Sequence, residues 1–247
     1  MRCLPSDLLL ICARHRTRSG APRSQWIAPG AEVQSGIMQP GPLPFEERAS
    51  VRGPGLAARL RQAIAELHLH VESTALARAI VGSSITIEPY LALLDRLEPV
   101  HEVLEHRLAA ATLEDLVPRP LVFRADALRR DRCALGRRDL SRGAGHGSLS
   151  LWLGSANGGH LVGAAYVIAG SALGSAVLRP SLVKAFKTLD QPGDGLDYHR
   201  VPTAILREAW SAFLARLERL PEDLAADAVD GARRTMTGML DIYSSAC

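Results

Sequence analysis

The sequence predicts a single all-α domain that follows a non-helical extension. Aromatic residues make up only 4% of the 247 residues, whereas Ala, Leu and Arg dominate, and this composition favours helices packed through small side chains over a β-sandwich. The chain is 47% hydrophobic and 22% charged, which is enough apolar material for one large core. From residue 55 onward, apolar residues recur at spacings of three and four, the period of an amphipathic helix.

Residues 1–54 form the predicted extension. They hold seven of the 15 prolines and show no helical periodicity, which is typical of a disordered segment or a linker. Met38 lies late enough to be an alternative start. We therefore place the domain at residues 55–247 and predict that residues 1–54 are dispensable.

The helices of the domain follow from the apolar spacing and from the residues that interrupt it. In chain order, the predicted helices cover residues 55–72, 86–117, 124–135, 158–178, 203–220 and 224–243. Pro180 is expected to end the fourth of these, because proline cannot donate the backbone hydrogen bond of a helix interior. Four glycines within residues 136–148 predict a polar loop there.

Charge and cysteine usage exclude several classes of protein. The net charge is +3, and residues 1–54 alone carry seven arginines against four acidic residues, so the domain is close to neutral and is not expected to bind nucleic acid. No zinc or disulfide spacing occurs among Cys3, Cys12, Cys133 and Cys247. No signal peptide is recognisable, and the apolar run over 161–178 is divided by glycines and serines, so no membrane span is expected. A cytoplasmic protein is the simplest interpretation.

Two histidines of the first predicted helix, His68 and His70, could border a pocket. Both could equally be ordinary surface residues. On a helical wheel, His68 shares one flank of the helix with Arg61 and Glu72. A neutral imidazole at that place could bind a metal through one nitrogen while Glu72 orients the other.

Gly170 and Gly174 lie four residues apart, on one face of the Gly/Ala-rich helix. Each costs about 1 kcal/mol relative to alanine in a helix interior, so the fold must offset the loss. One possible offset is close packing between two helices. The other is the close approach of a flat ligand to exposed backbone.

A third cluster runs from His101 to His106. It resembles the zinc-protease motif HExxH only superficially, because Glu105 stands where that motif has its second histidine. A solvated helix face with charged pairs is expected there. The sequence contains no GxSxG element and no P-loop.

Together the first two segments resemble the biliverdin-producing heme oxygenases, and the second does so in its bacterial form. The first helix of that family reads L-[KR]-x-A-x-x-x-[LV]-H-x-x-x-E, matched here by Leu60, Arg61, Ala63, Leu67, His68 and Glu72. Its distal helix reads A-L-Y-x-x-E-G-S-x-L-G, matched by Ala164, Tyr166, Gly170, Ser171, Leu173 and Gly174. This register selects His68 over His70.

The resemblance implies a helical domain that holds heme between the first helix and the Gly-rich distal helix. His68 would be the proximal iron ligand, and the side chains that face the heme propionates would be those of Arg61 and Tyr166. The distal, catalytic face would consist of Gly170, Ser171 and Gly174.

The implied reaction is the O2-dependent cleavage of heme b, which is both cofactor and substrate, to biliverdin, CO and Fe2+. No flavin or nicotinamide motif is present, so the electrons would come from an external donor such as a ferredoxin or another reductase.

Two departures from the family pattern leave other functions open. Ala169 replaces an acidic residue that is common before the distal glycine, and Ser175 stands where many members have a second glycine. A noncatalytic heme-binding or heme-transfer protein on the same fold is therefore an alternative, as is a helical interaction module without heme. The related di-iron oxidases would need several carboxylate and histidine ligands, for which the available residues are Glu72, Glu102, Glu105 and His106.

Overall fold

The computed structural model describes residues 54–137, 147–187 and 191–245. Within these ranges the chain forms nine α-helices and one short 3-10 turn, without a β-strand, so the predicted all-α class is confirmed. The helices are α1 (Leu56–Glu72), α2 (Ala75–Val81), α3 (Ile87–Ala110), α4 (Arg119–Val122), α5 (Ala125–Ala134), α6 (Ser148–Ser155), α7 (Gly158–Phe186), α8 (Thr203–Leu217) and α9 (Glu222–Ser245). The 3-10 turn, Asp197–His199, lies between α7 and α8. The predicted extension and most of the predicted polar loop lie outside the described residues.

The predicted end of the Gly/Ala-rich helix at Pro180 is wrong. Helix α7 runs through Pro180 to Phe186. Pro180 lies on the exposed side of the helix, where water can hydrate the carbonyl that loses its backbone partner. Periodicity also missed α2, α4 and α6, which are too short to show a repeated apolar stripe.

The N-terminus of helix α1 is capped by a carboxylate that is distant in the sequence. The backbone N–H groups of Leu56 and Ala57 donate to the carboxylate of Glu218, just after α8, over 3.1 and 3.0 Å. A carboxylate at this end satisfies free N–H groups and complements the helix dipole. Leu60 and Ile64 are buried on the stripe of α1, which packs mainly on α9. The flank of α1 opposite this stripe is available for contacts with groups other than α9.

Helices α7 and α9 make the closest backbone contact of the described core. A Cβ atom added at Gly163 would overlap the carbonyl oxygen of Ala228 and the amide nitrogen of Ala232, and one added at Gly231 would overlap the backbone of His160. Glycine at these places therefore lets two helix backbones touch. This contact anchors the first half of α7 in the centre of the fold.

By length and apolar composition alone, α7 could cross a membrane, although glycines and serines divide its apolar run. The most apolar 18-residue window of α7 is 61% buried inside the fold. That burial is typical of the central helix of a globular core, where apolar residues face neighbouring helices on all sides.

Deletion of residues 1–54 is expected to leave the free energy of unfolding unchanged. The first amide groups of α1 bond to Glu218, so the start of the domain is capped by a residue of the domain itself. Urea melts of the full-length and truncated proteins measure the effect. Loss of cooperative unfolding after truncation would show that the extension contributes to the core.

Candidate functional site

Three helices meet around the side chain of Tyr166. The Tyr166 ring, on α7, packs against Trp210 of α8 with ring centroids 5.3 Å apart. From α1, the side chain of Arg61 lies near the Tyr166 hydroxyl. Burial raises the pKa of Tyr166, and the positive charge of Arg61 partly opposes this rise. The structure thus brings together two predicted site residues that lie far apart in the sequence.

An open strip of backbone continues along α7 from Tyr166. Gly170 and Gly174 follow on the same face, one turn and two turns further on. A Cβ atom added at Gly174 would meet no heavy atom within 4 Å, and one added at Gly170 would find only the Trp210 ring, at 4.0 Å. Within the described part of the chain, no helix packs on these two glycines, which we call the glycine strip.

The surroundings of the glycine strip differ from those of a close helix-packing contact. Close helix packing is found at Gly163, where a methyl group would overlap α9, and not at Gly170 or Gly174. The backbone of the strip is accessible to something other than a helix of this domain. This geometry favours the approach of a flat ligand.

His68 lies on α1, two turns beyond Arg61. Its side chain is 34% exposed, and its Nδ1 lies 3.4 Å from Oε1 of Glu72. The ring makes no other hydrogen bond or ion pair to a described residue. When Nδ1 carries the hydrogen and faces the carboxylate, the lone pair of Nε2 is available to a metal.

His70 occupies a different environment on the same helix. It is exposed, and no ion pair joins its ring to a described carboxylate. The structure therefore gives an orienting carboxylate to His68 and none to His70.

The predicted solvated face around His101 is wrong at its first residue. His101 is completely buried, with Nδ1 3.1 Å from the carbonyl oxygen of Val122 and Nε2 3.1 Å from the Tyr198 hydroxyl. The sequence contained a signal for this burial, because His101 falls on the apolar stripe of α3 with Leu97 and Leu104.

Ser171 follows the first glycine of the strip in the sequence. The residue is half-buried next to Gly170, and its hydroxyl donates to the carbonyl oxygen of Ile168 over 2.7 Å. Burial raises the pKa of Tyr198, and the nearby side chain of Ser171 partly opposes this rise. Sequence analysis missed Tyr198, which lies in a 3-10 turn where no periodic pattern marks buried positions.

The 3-10 turn that carries Tyr198 is held by two charged side chains. The carboxylate of Asp131 accepts hydrogen bonds from the backbone N–H groups of Asp197 and Tyr198, over 2.8 and 2.7 Å. Arg124 donates to the carbonyl oxygens of the same two residues, over 2.7 Å in each case. Burial raises the pKa of Asp131 to about 6, although the two N–H donors favour its ionised form. These contacts fix Tyr198 against α7.

The two departures from the family pattern are buried residues that adjoin the glycine strip in the sequence. Ala169 is fully buried and Ser175 is 4% exposed. Ala169 belongs to the tightly packed core, where a small apolar side chain fits. The backbone of the strip is open with both of these residues in place.

Ligands for a di-iron centre are not assembled in the described part of the chain, where no three His, Cys, Asp or Glu side chains cluster. Glu102 pairs with Arg129 at 2.6 Å. Glu105 accepts hydrogen bonds from the backbone N–H groups of Arg124 and Ala125, at the start of α5. Both carboxylates thus have structural partners, and the di-iron interpretation finds no support here.

Three solved structures of bacterial heme oxygenases are similar to the chain. The enzyme of Leptospira interrogans superposes with a TM-score of 0.68 at 17% sequence identity, over 77% of this chain and 99% of that chain. Heme oxygenase-1 of Synechocystis, solved in complex with heme, gives 0.66 at 16% identity, over 77% of this chain and 91% of its own. Heme oxygenase-2 of Synechocystis, solved with heme and NO, gives 0.68 at 16% identity, over 78% and 85%.

Comparison of the sequence with family models and with curated proteins finds no further relative. No protein-family model matches the chain, and no curated protein matches it. At such low identities the likeness shows the fold alone: the chain has the heme oxygenase fold. The fold implied by the resemblance of the two motifs is confirmed.

Proposed function

We propose that this protein is a heme oxygenase that binds heme b between α1 and the glycine strip of α7. In the proposed reaction, heme is cleaved with O2 to biliverdin, CO and Fe2+, and an external donor such as a ferredoxin or another reductase supplies the electrons. The observation that carries the proposal is that glycines in the two halves of α7 have different surroundings. Gly159 and Gly163, in its first half, are covered by α9, whereas no α9 residue covers Gly170 or Gly174, on the helix that meets α1 at Tyr166 and Arg61.

The residues present suit a flat, dianionic iron porphyrin. Bare backbone at Gly170 and Gly174 lets a planar ring approach α7 closely. One ring nitrogen of His68 faces Glu72, which leaves the other as a candidate metal ligand. The guanidinium of Arg61 can pair with a carboxylate such as a propionate, and Tyr166 adds a hydroxyl beside it.

When bound, heme supplies the iron that activates O2 and the porphyrin ring that is cleaved. Glu72 would accept the hydrogen of His68 Nδ1, so that Nε2 could bind the iron. Arg61 and Tyr166 would hold the porphyrin by its carboxylates. The glycine strip would let the porphyrin ring lie close to α7, and Ser171 follows Gly170 of that strip in the sequence.

Titration with hemin tests the proposal first. We expect the purified protein to give a Soret band shifted from that of free hemin, with saturation at one heme per chain. The variant that lacks residues 1–54 is expected to bind with the same affinity. Absence of any shift would reject heme binding and favour an interaction module in which the fold serves only as a helical scaffold.

Turnover then separates an oxygenase from a noncatalytic heme carrier. With ascorbate or reduced ferredoxin and O2, the heme complex is expected to lose its Soret band and to release biliverdin. A control under argon should retain the heme. A protein that binds hemin but yields no biliverdin with either reductant would be a carrier, and the proposed activity would be wrong.

A further inference from the structure

One end of the glycine strip is bounded by an indole ring. The Cη2 atom of Trp210, on α8, lies 4.0 Å from the place that a Cβ atom of Gly170 would occupy. No other side chain of the described residues comes within 4 Å of that place, and none comes within 4 Å of the corresponding place at Gly174. The strip is therefore bounded at Gly170 by the six-membered ring of the indole and is open at the next turn of α7.

The position of this indole is set by two other aromatic rings. Its ring centroid lies 5.3 Å from that of Tyr166 on α7, with the planes inclined at 37°, and 6.1 Å from that of Phe213, with the planes at 64°. Tyr166 is 6% exposed and Phe213 is 0% exposed. Because buried rings pack against it from two helices, Trp210 forms a fixed wall of the strip.

The sequence of α8 directs Trp210 toward α7. Leu206, Phe213 and Leu217 are the buried residues of α8. Trp210 falls on the same stripe, four residues after Leu206 and three before Phe213. Trp210 itself is only half-buried, so part of its ring surface is free to contact a ligand.

We propose that Trp210 is a positioning residue that sets where a flat ligand lies along α7. A planar ring that approaches the strip meets the indole edge beside Gly170, so it extends from there across Gly174 and not toward Tyr166. That this ring is heme rests on the proposed function. The wall itself is a property of α7 and α8 and distinguishes the two ends of the strip.

Fluorine-19 NMR of the protein labelled with 5-fluorotryptophan tests the contact. The probe is gallium(III) protoporphyrin IX, a planar, diamagnetic porphyrin that is not turned over. The chain has three tryptophans, and single Trp→Phe variants assign their resonances. We expect one equivalent of the porphyrin to shift the Trp210 resonance strongly, because the ring current of a porphyrin acts only over short distances.

Trp152 provides the matched control. It is half-buried like Trp210 and also packs on α7, but against His160, with ring centroids 5.9 Å apart. His160 precedes Gly170 by ten residues, which corresponds to about 15 Å along the helix axis. The Trp152 resonance should therefore move several times less than that of Trp210. Equal shifts at the two residues, or a Trp210 resonance that stays in place, would contradict the proposal.

The positioning role is tested by proton NMR of the ferric heme complex with cyanide, in which each placement of the ring gives its own set of heme methyl resonances. Trp210→Ala is expected to shift these resonances and to add a set that the wild-type protein lacks. Trp210→Phe, which keeps an aromatic wall, and Trp152→Ala should retain the wild-type pattern. If Trp210 served the fold alone, Trp210→Ala would unfold at a lower urea concentration and its methyl resonances would be unchanged.

The two proposals fail in different ways. If the wild-type protein binds neither hemin nor the gallium porphyrin, both the proposed function and the role of Trp210 are rejected. If it binds them without a shift at Trp210, only the role of Trp210 is rejected.

Discussion

Replacement of His68 by alanine is expected to abolish axial ligation of bound heme, whereas His70→Ala leaves it intact. His68 has a carboxylate oxygen of Glu72 at 3.4 Å from one ring nitrogen, which orients the other for a metal. His70 is exposed and lacks such a partner among the described residues. The two variants are matched, because each removes one imidazole from the same turn of α1.

Absorption and resonance Raman spectra of both variants with hemin measure this ligation. The iron–histidine stretch should be missing only in His68→Ala, and added imidazole should restore a ligated spectrum. Because His68 is a third exposed, its loss should leave the free energy of unfolding nearly unchanged, and circular dichroism melts check this. The opposite pattern, with the stretch lost only in His70→Ala, would show that the register taken from the motif is wrong.

The fold class was predictable because it depends on local information. The stripe of Leu56, Leu60 and Ile64 predicts α1 to within one residue, since an amphipathic helix repeats its burial at every turn. The same reasoning failed at Pro180, because whether a proline ends a helix depends on which side of the helix it occupies. That side is set by tertiary packing, which one segment alone does not reveal.

The candidate site was predictable only in part. The resemblance of two motifs selected Arg61 and Tyr166, but their meeting across α1 and α7 is a tertiary fact that spacing alone does not contain. Tyr198 could not be found from the sequence. It lies in a 3-10 turn that is held in position by Asp131 of α5 and by Arg124, which immediately precedes α5. Polar groups in irregular segments produce no periodic pattern in the sequence, because backbone contacts and not a repeated apolar stripe hold them in place.

The glycines of α7 show most clearly what sequence leaves undecided. In the sequence, Gly163 and Gly174 lie in the same apolar run and have the same propensity cost. In the structure one faces the backbone of α9 and the other faces open space. Their different roles therefore come from the neighbouring helix and not from the residue type.

This difference predicts stability changes of opposite sign. Gly163→Ala places a methyl group on the carbonyl oxygen of Ala228, so α7 and α9 must separate. Overpacking of this kind destabilises by about 1–3 kcal/mol, and here the neighbour is rigid backbone. Gly174→Ala adds its methyl group where no heavy atom lies within 4 Å and gains up to about 1 kcal/mol of helix propensity.

Denaturant melts of the two apoproteins, together with single-turnover assays of their heme complexes, decide the assignment. We expect Gly163→Ala to unfold at lower denaturant concentration than the wild-type protein, and Gly174→Ala at the same or a higher concentration. In Gly174→Ala the methyl group stands in the proposed heme site, so biliverdin formation should fall although the apoprotein is stable. A destabilised Gly174→Ala apoprotein that turns over heme at the wild-type rate would contradict the assignment of the glycine strip to the ligand, because its backbone would then serve packing, as Gly163 does.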